Sequence, residues 1–178
     1  IDKALASAGA IDPKNAAAFA KIGEIHDANG RNDEAIANYE AALKLDPEFS
    51  SLYMPLGLAY AQAGKVIEAE TYLSKAEAAG FDSSEARFAR AVILSKQDRN
   101  PEALAAFDNI LKTEPQNAQA HYQKAVIYGK TNQQDKAIES YKDAVRIDPN
   151  YAGAWFDLGV TYYNREDYPN ALTAYQQV

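Results

Sequence analysis

The 178-residue chain contains no cysteine. That excludes disulfides, thiolate metal sites and cysteine nucleophiles together, and it is compatible with an oxidising compartment. No apolar run approaches the roughly 20 residues that cross a bilayer, so no membrane span is expected. Basic residues are in deficit: the formal net charge is −7, and such a field repels nucleic acid and anionic membrane. No basic-then-apolar leader opens the chain, although an N-terminal Ile1 leaves room for one already removed. No glycine-rich phosphate loop, nucleophile elbow or zinc spacing occurs. The expectation is therefore a chain without catalytic residues, metal or cofactor. Its compartment stays open between cytoplasm and bacterial periplasm. At this length a normal core can form without metal or disulfide staples.

What is present is a stride. Pro13, Pro47, Pro115 and Pro149 stand 34 residues or twice 34 apart, with Phe81 in the intervening place. The phrases "AIDP", "KLDP" and "RIDP", with a looser "KTEP", lead into them. Units counted from Ala16, Ser50, Ser84, Ala118 and Ala152 align without insertion or deletion. Their eighth place holds Gly23, Gly57, Ala91, Ala125 and Gly159, and their twentieth is always alanine: Ala35, Ala69, Ala103, Ala137 and Ala171. Their twenty-fourth is large: Tyr39, Leu73, Phe107, Tyr141 and Tyr175. Small and large side chains recurring each in its own column are what two helices pressed together in every unit require. Glycine inside a helix costs about 1 kcal/mol against alanine. Gly159, on one face with Trp155 and Tyr162, is expected to offset that cost by letting the partner helix with Ala171 come close.

The first helix of each unit is predicted over roughly its first fourteen places and the second over roughly the eighteenth to thirtieth. Turn-rich stretches such as "NGRND" and "TNQQD" lie between them. Pro101 and Pro169 fall in the first turn of second helices, where no backbone partner is lost. Pro55 lies deeper in its helix, which should start late or bend.

This pattern resembles the tetratricopeptide repeat, a 34-residue helix–turn–helix unit. The last unit matches its series best, through Trp155, Leu158, Gly159, Tyr162, Ala171 and Tyr175. The resemblance implies an all-α fold, a right-handed superhelical solenoid of antiparallel helix pairs over residues 1–178. Full repeats are expected at 16–49, 50–83, 84–117 and 118–151, and an incomplete last repeat at 152–178. Residues 1–15, with Leu5, Ala8 and Pro13 in their columns, are expected as the second helix of a truncated repeat. With both ends inside a repeat, the chain reads as a piece of a longer array.

On a helix the fourth, seventh, eighth and eleventh places form the packing stripe, and the fifth and ninth lie about 130° away. Polar residues are expected there, yet the fifth place holds Ala20, Met54, Phe88, Tyr122 and Phe156, and the ninth Glu24, Leu58, Val92, Val126 and Val160. By the resemblance this face lines a concave groove that holds a peptide or partner helix. The candidate groove residues are Met54, Leu58, Phe88, Val92, Tyr122, Val126, Phe156 and Val160, with Lys96 and Lys130 in the thirteenth place of adjacent units. The lysines would favour an acidic group on a ligand that is otherwise apolar. Alternatively, the apolar column fills gaps between first helices, and the lysines are solvated helix ends that suit the macrodipole.

Two further features depart from the family series. Arg87 and His121 stand in the Trp-like place, and Arg90 and Lys124 in the leucine place. Their stems can snorkel over the packing face or gather an anion. The places of the chaperone-tail clamp hold Ala20, Glu24, Pro55, Glu85 and Ala89, and the sixth place carries no asparagine ladder: Lys21, Pro55, Ala89, Gln123 and Asp157. His26 and His121, three units apart, are expected as packing residues that share no metal. The expected function is a non-catalytic protein-interaction scaffold; the alternatives are the recognition arm of a larger enzyme and a self-assembling scaffold that forms homo-oligomers.

Overall fold

A computed structural model describes residues 15–178. The described residues are all helical, with no strand among them. Ten helices follow one another: α1 (Ala16–Asp27), α2 (Asn32–Leu45), α3 (Tyr53–Gln62), α4 (Val66–Ala78), α5 (Ser84–Lys96), α6 (Asn100–Thr113), α7 (Ala118–Lys130), α8 (Gln134–Ile147), α9 (Ala152–Asn164) and α10 (Tyr168–Tyr175). The second helix expected in residues 1–15 falls on positions 1–14, outside the described residues. The chain divides into two compact units between Ile93 and Leu94, inside α5.

In the first compact unit α1 pairs with α2 and α3 with α4, and α2 also packs on α3. The core gathers Ile36, Tyr39, Leu52, Leu56, Tyr60, Leu73 and Ile93 around the fully buried alanines Ala35 and Ala69. In the second, α7 pairs with α8 and α9 with α10, while α6 packs on α7 and α8 on α9. Its core contains Ile138, Tyr141, Val145, Leu158 and Tyr162 around Ala125, Ala137 and Ala171. The constant alanine of the twentieth place is thus a point where helices meet with no room for a larger side chain.

The helical glycines sit where the column pattern requires close approach, and the structure identifies what fills the space. A Cβ on Gly23 would lie 2.6 Å from the Tyr39 ring, one on Gly57 2.9 Å from the Leu73 side chain, and one on Gly159 2.5 Å from the Tyr175 ring. It is the large twenty-fourth side chain of the second helix, rather than the alanine of the twentieth, that lies over the missing one.

Pro55 has the anticipated consequence. A 3-10 turn, Ser50–Leu52, precedes α3, which runs for only 10 residues. Pro101 and Pro169 stand in the first turns of α6 and α10.

The turn after each first helix repeats in backbone geometry although not in residue type. Its fifteenth place is left-handed throughout: Gly30 (φ 68°), Gly64 (75°), Asp98 (57°), Asn132 (58°) and Glu166 (62°). The following N–H reaches back to close the helix: Arg31 to the His26 carbonyl, Lys65 to Tyr60, Arg99 to Leu94, Gln133 to Tyr128 and Asp167 to Tyr162. That six-to-one bond with a left-handed residue before it is a Schellman closure. A residue with a Cβ pays about 1–2 kcal/mol to adopt this conformation, with Asn and Asp the most tolerant. Glu166→Gly should therefore raise stability by about 0.5–1 kcal/mol after the entropy glycine adds to the unfolded chain. Gly30→Ala should lower it by about 1 kcal/mol. Thermal melts of the two variants beside wild type would show the opposite signs.

Candidate functional site

The first compact unit carries four of the groove candidates. Met54 and Leu58 lie one turn apart on α3, half-buried and packed against the core of that unit. Phe88 and Val92 have the same spacing on α5 and are also half-buried. Met54 and Leu58 thus partly fill the space beside the core, and all four side chains keep part of their surface in water.

The second compact unit carries the rest. Tyr122 and Val126 on α7 are half-buried against its core, and Val160 on α9 is half-buried. Phe156 on α9 is different: it is 52% exposed, with its ring centroid 5.8 Å from that of Tyr175. Lys96 and Lys130 are exposed in the last turns of α5 and α7 and form no ion pair among the described residues. In the second compact unit these side chains thus include one protruding ring, Phe156, and two lysines in last helical turns, where the macrodipole also suits a cation.

A polar device among these side chains escapes the sequence reading. The Tyr122 hydroxyl donates to Asp157 Oδ2 at 2.8 Å, tying α7 to α9. The Tyr122 ring lies 4.9 Å from Tyr151 and 5.8 Å from Tyr141, centroid to centroid. Burial first, and then the Asp157 hydrogen bond and charge, raise the Tyr122 phenol well above its ordinary range. Tyr141 is raised by burial and then by Asp157, and Tyr151 by burial, Asp148 and Asp157. All three rings remain neutral around one carboxylate. In the sequence, Asp157 is only a place where an asparagine ladder fails. The signal that a hydroxyl at the fifth place of one repeat faces a carboxylate at the sixth place of the next needs the helix spacing to be seen.

The basic residues that replace family positions are already occupied. Arg90 donates to Glu77 at 2.5 Å and to Ser74 Oγ at 2.9 Å, so its stem crosses α4 as a snorkelling side chain does. Lys124 reaches Asp108 at 2.6 Å, and Arg87 reaches Asp82 at 2.7 Å. A shallow cavity of about 100 Å³ lies among Leu73, Phe81, Ala86, Arg87 and Arg90. Drug-sized ligand pockets run to roughly 300–1,000 Å³. With both guanidinium groups paired to carboxylates, the snorkelling reading of these residues stands over the anion-gathering one.

The fourth place has a structural use that sequence reasoning missed. Trp155 Nε1–H donates to the Pro149 carbonyl at 2.9 Å, and the Tyr53 hydroxyl donates to the Pro47 carbonyl at 3.2 Å. His121 Nε2 lies 3.3 Å from the Pro115 carbonyl, which can only accept, so this contact takes the tautomer protonated at Nε2. Each ring fastens a first helix to the turn that enters it. Where phenylalanine (Phe81) replaces the proline, the fourth place is Arg87 and the contact is to Asp82 instead. His26 is buried. Among the described residues no three metal-ligating side chains gather, and no helix is long and apolar enough to cross a membrane.

Comparison with known proteins agrees with this geometry. A family model described as TPR repeat matches residues 27–64 and 127–165, and two described as tetratricopeptide repeat match 106–139 and 154–178. Together they span more than half of the chain. A cytochrome c-type biogenesis protein, CycH of Rhizobium meliloti (strain 1021), is 31% identical over 112 residues; the match covers 61% of this chain and 29% of that protein. The chain thus spans less than a third of that relative's length. Among solved structures, a crystal structure of MamA aligns with 26% identity and a TM-score of 0.69, over 88% of this chain and 91% of that one. YrrB, described as a TPR protein with an unusual peptide-binding site, aligns with 22% identity and a TM-score of 0.64, over 92% and 84%. At that identity YrrB shares the fold alone. On the family models and the repeated helix pairs, this chain belongs to the tetratricopeptide repeat family.

Proposed function

We propose that this protein is a non-catalytic interaction scaffold whose first-helix faces hold a peptide or helix of a partner protein. The scaffold class follows from the family, whose members are generally non-catalytic. The finer reading rests on one observation: Phe156 protrudes from α9 at 52% exposure in a column that stays apolar in four consecutive repeats. Exposed apolar patches on soluble proteins mark interfaces. In the first compact unit the face would be Met54, Leu58, Phe88 and Val92. In the second it would be Tyr122, Val126, Phe156 and Val160. Lys96 and Lys130 would add a preference for acidic groups at the edge.

The test is a pair of single variants, Phe88→Glu and Phe156→Glu, in partner capture by pull-down and in peptide binding by fluorescence anisotropy. Interface centres lose about 2 kcal/mol or more on truncation of an aromatic anchor, so affinity should fall at least about 30-fold. Unchanged capture by both variants, with helical content and melting temperature preserved, would rule the assignment out.

A second reading has its own support. The matched CycH protein is more than three times as long as the aligned segment, which fits a repeat region serving as the recognition arm of a larger protein. Sequencing the complete reading frame would decide it.

A further inference from the structure

We propose that the second compact unit selects a ligand bearing a lysine or arginine side chain, received by the Asp157 carboxylate beside the Tyr122 hydroxyl. The inference rests on the groove reading above and adds the charge of what enters. Asp157 lies on α9 beside Phe156, the exposed member of the apolar column. One of its oxygens, Oδ2, takes the Tyr122 hydroxyl; no base pairs with it among the described residues. The carboxylates at Asp82, Glu77, Asp108, Asp135 and Glu102 each have an arginine or lysine partner. Asp157 instead has aromatic neighbours, which cannot compensate its charge.

The surroundings fit a cation with an apolar stem. The Tyr122 and Tyr151 rings pack on one another with centroids 4.9 Å apart and both phenols are held neutral, so they border the carboxylate with apolar surface that brings no competing charge. Val126 and Val160, one turn beyond Tyr122 and Phe156, offer apolar surface for the methylenes of a lysine or arginine. Among the described residues Asp157 belongs to no group of three metal-ligating side chains, which makes it a poor seat for a metal ion. An acidic ligand side chain would meet like charge here. Lys130 stands eight residues beyond Tyr122 on α7, about 12 Å along the helix. The preferred segment therefore carries a basic residue at the Asp157 end and tolerates an acidic one towards Lys130.

The experiment pans a randomised 12-residue peptide phage library against the 178-residue chain and against its Asp157→Asn variant. Asparagine keeps an oxygen to accept the Tyr122 hydrogen bond, so the fold is retained while the charge goes. Peptides selected on wild type should be enriched in lysine or arginine, and those selected on Asp157→Asn should not. For one selected peptide, replacing its basic residue by norleucine should weaken binding roughly tenfold. The Asp157→Asn change should weaken the original peptide by a similar factor, and the two changes together should cost little more than either. Selection without basic enrichment, or losses that simply multiply, would overturn the inference and leave the groove intact. If every selected peptide bound Phe156→Glu as well as wild type, the groove reading itself would fail, and this inference with it.

Discussion

Gly57→Ala is expected to destabilise the protein by about 3 kcal/mol, whereas Gly129→Ala should stabilise it by about 0.5–1 kcal/mol. The same methyl group is added to a helical glycine in both cases, so helix propensity favours both. Packing reverses the sign at one of them. On Gly57 the new Cβ would lie 2.9 Å from Leu73 Cγ and Cδ2 and 3.0 Å from the Leu73 backbone nitrogen. A side chain can rotate away from such a contact, but a backbone nitrogen moves only if α4 moves. On Gly129, exposed near the end of α7, nothing lies within 4 Å. Urea denaturation of the two variants measures both effects. A Gly57→Ala protein as stable as wild type would mean that α3 and α4 are not held at this distance.

Tyr39→Ala is expected to cost about 4 kcal/mol, while Tyr175→Ala, in the same column, should cost about 1–2 kcal/mol. Tyr39 is 1% exposed, enclosed by the core of the first compact unit and lying against Gly23. Removing its ring opens a cavity beside a residue that has no side chain with which to fill it. Tyr175 faces Gly159 in the same way but is 36% exposed. Water already reaches part of its ring, so less transfer free energy is lost. In repeat proteins stability is a sum of local terms, and a global midpoint understates a local loss. Hydrogen exchange is the sharper measurement. For Tyr39→Ala, amide protection should fall in α1 to α3. Equal effects at the two tyrosines would show that the column, and not burial, sets the cost.

The helix pairs were legible in the residues because packing leaves its imprint on side-chain size. Alanine recurs at Ala35, Ala69, Ala103, Ala137 and Ala171 because larger side chains do not fit there, and each of these is buried. Pro55 likewise announced a late helix start, since its ring and missing N–H act within its own turn. The inter-helix turns were less legible. Gly30 and Gly64 advertise a left-handed backbone, but Asp98, Asn132 and Glu166 adopt it without a glycine to mark them. There the closing hydrogen bond and the packing of the flanking helices override local preference.

The sequence by itself thus determined the stride, the places of the helices and the two opposed faces of each first helix. Those properties depend on a residue's size, polarity and position along its own helix. Only the tertiary structure decided that Tyr39, Leu73 and Tyr175 close over the glycines, that Arg90 and Lys124 are already matched by acids, and that the Tyr122 hydroxyl meets Asp157. These are contacts between side chains 13 to 35 residues apart. Whether a charge is paired or left free depends on distances across neighbouring helices, and composition carries no record of those distances.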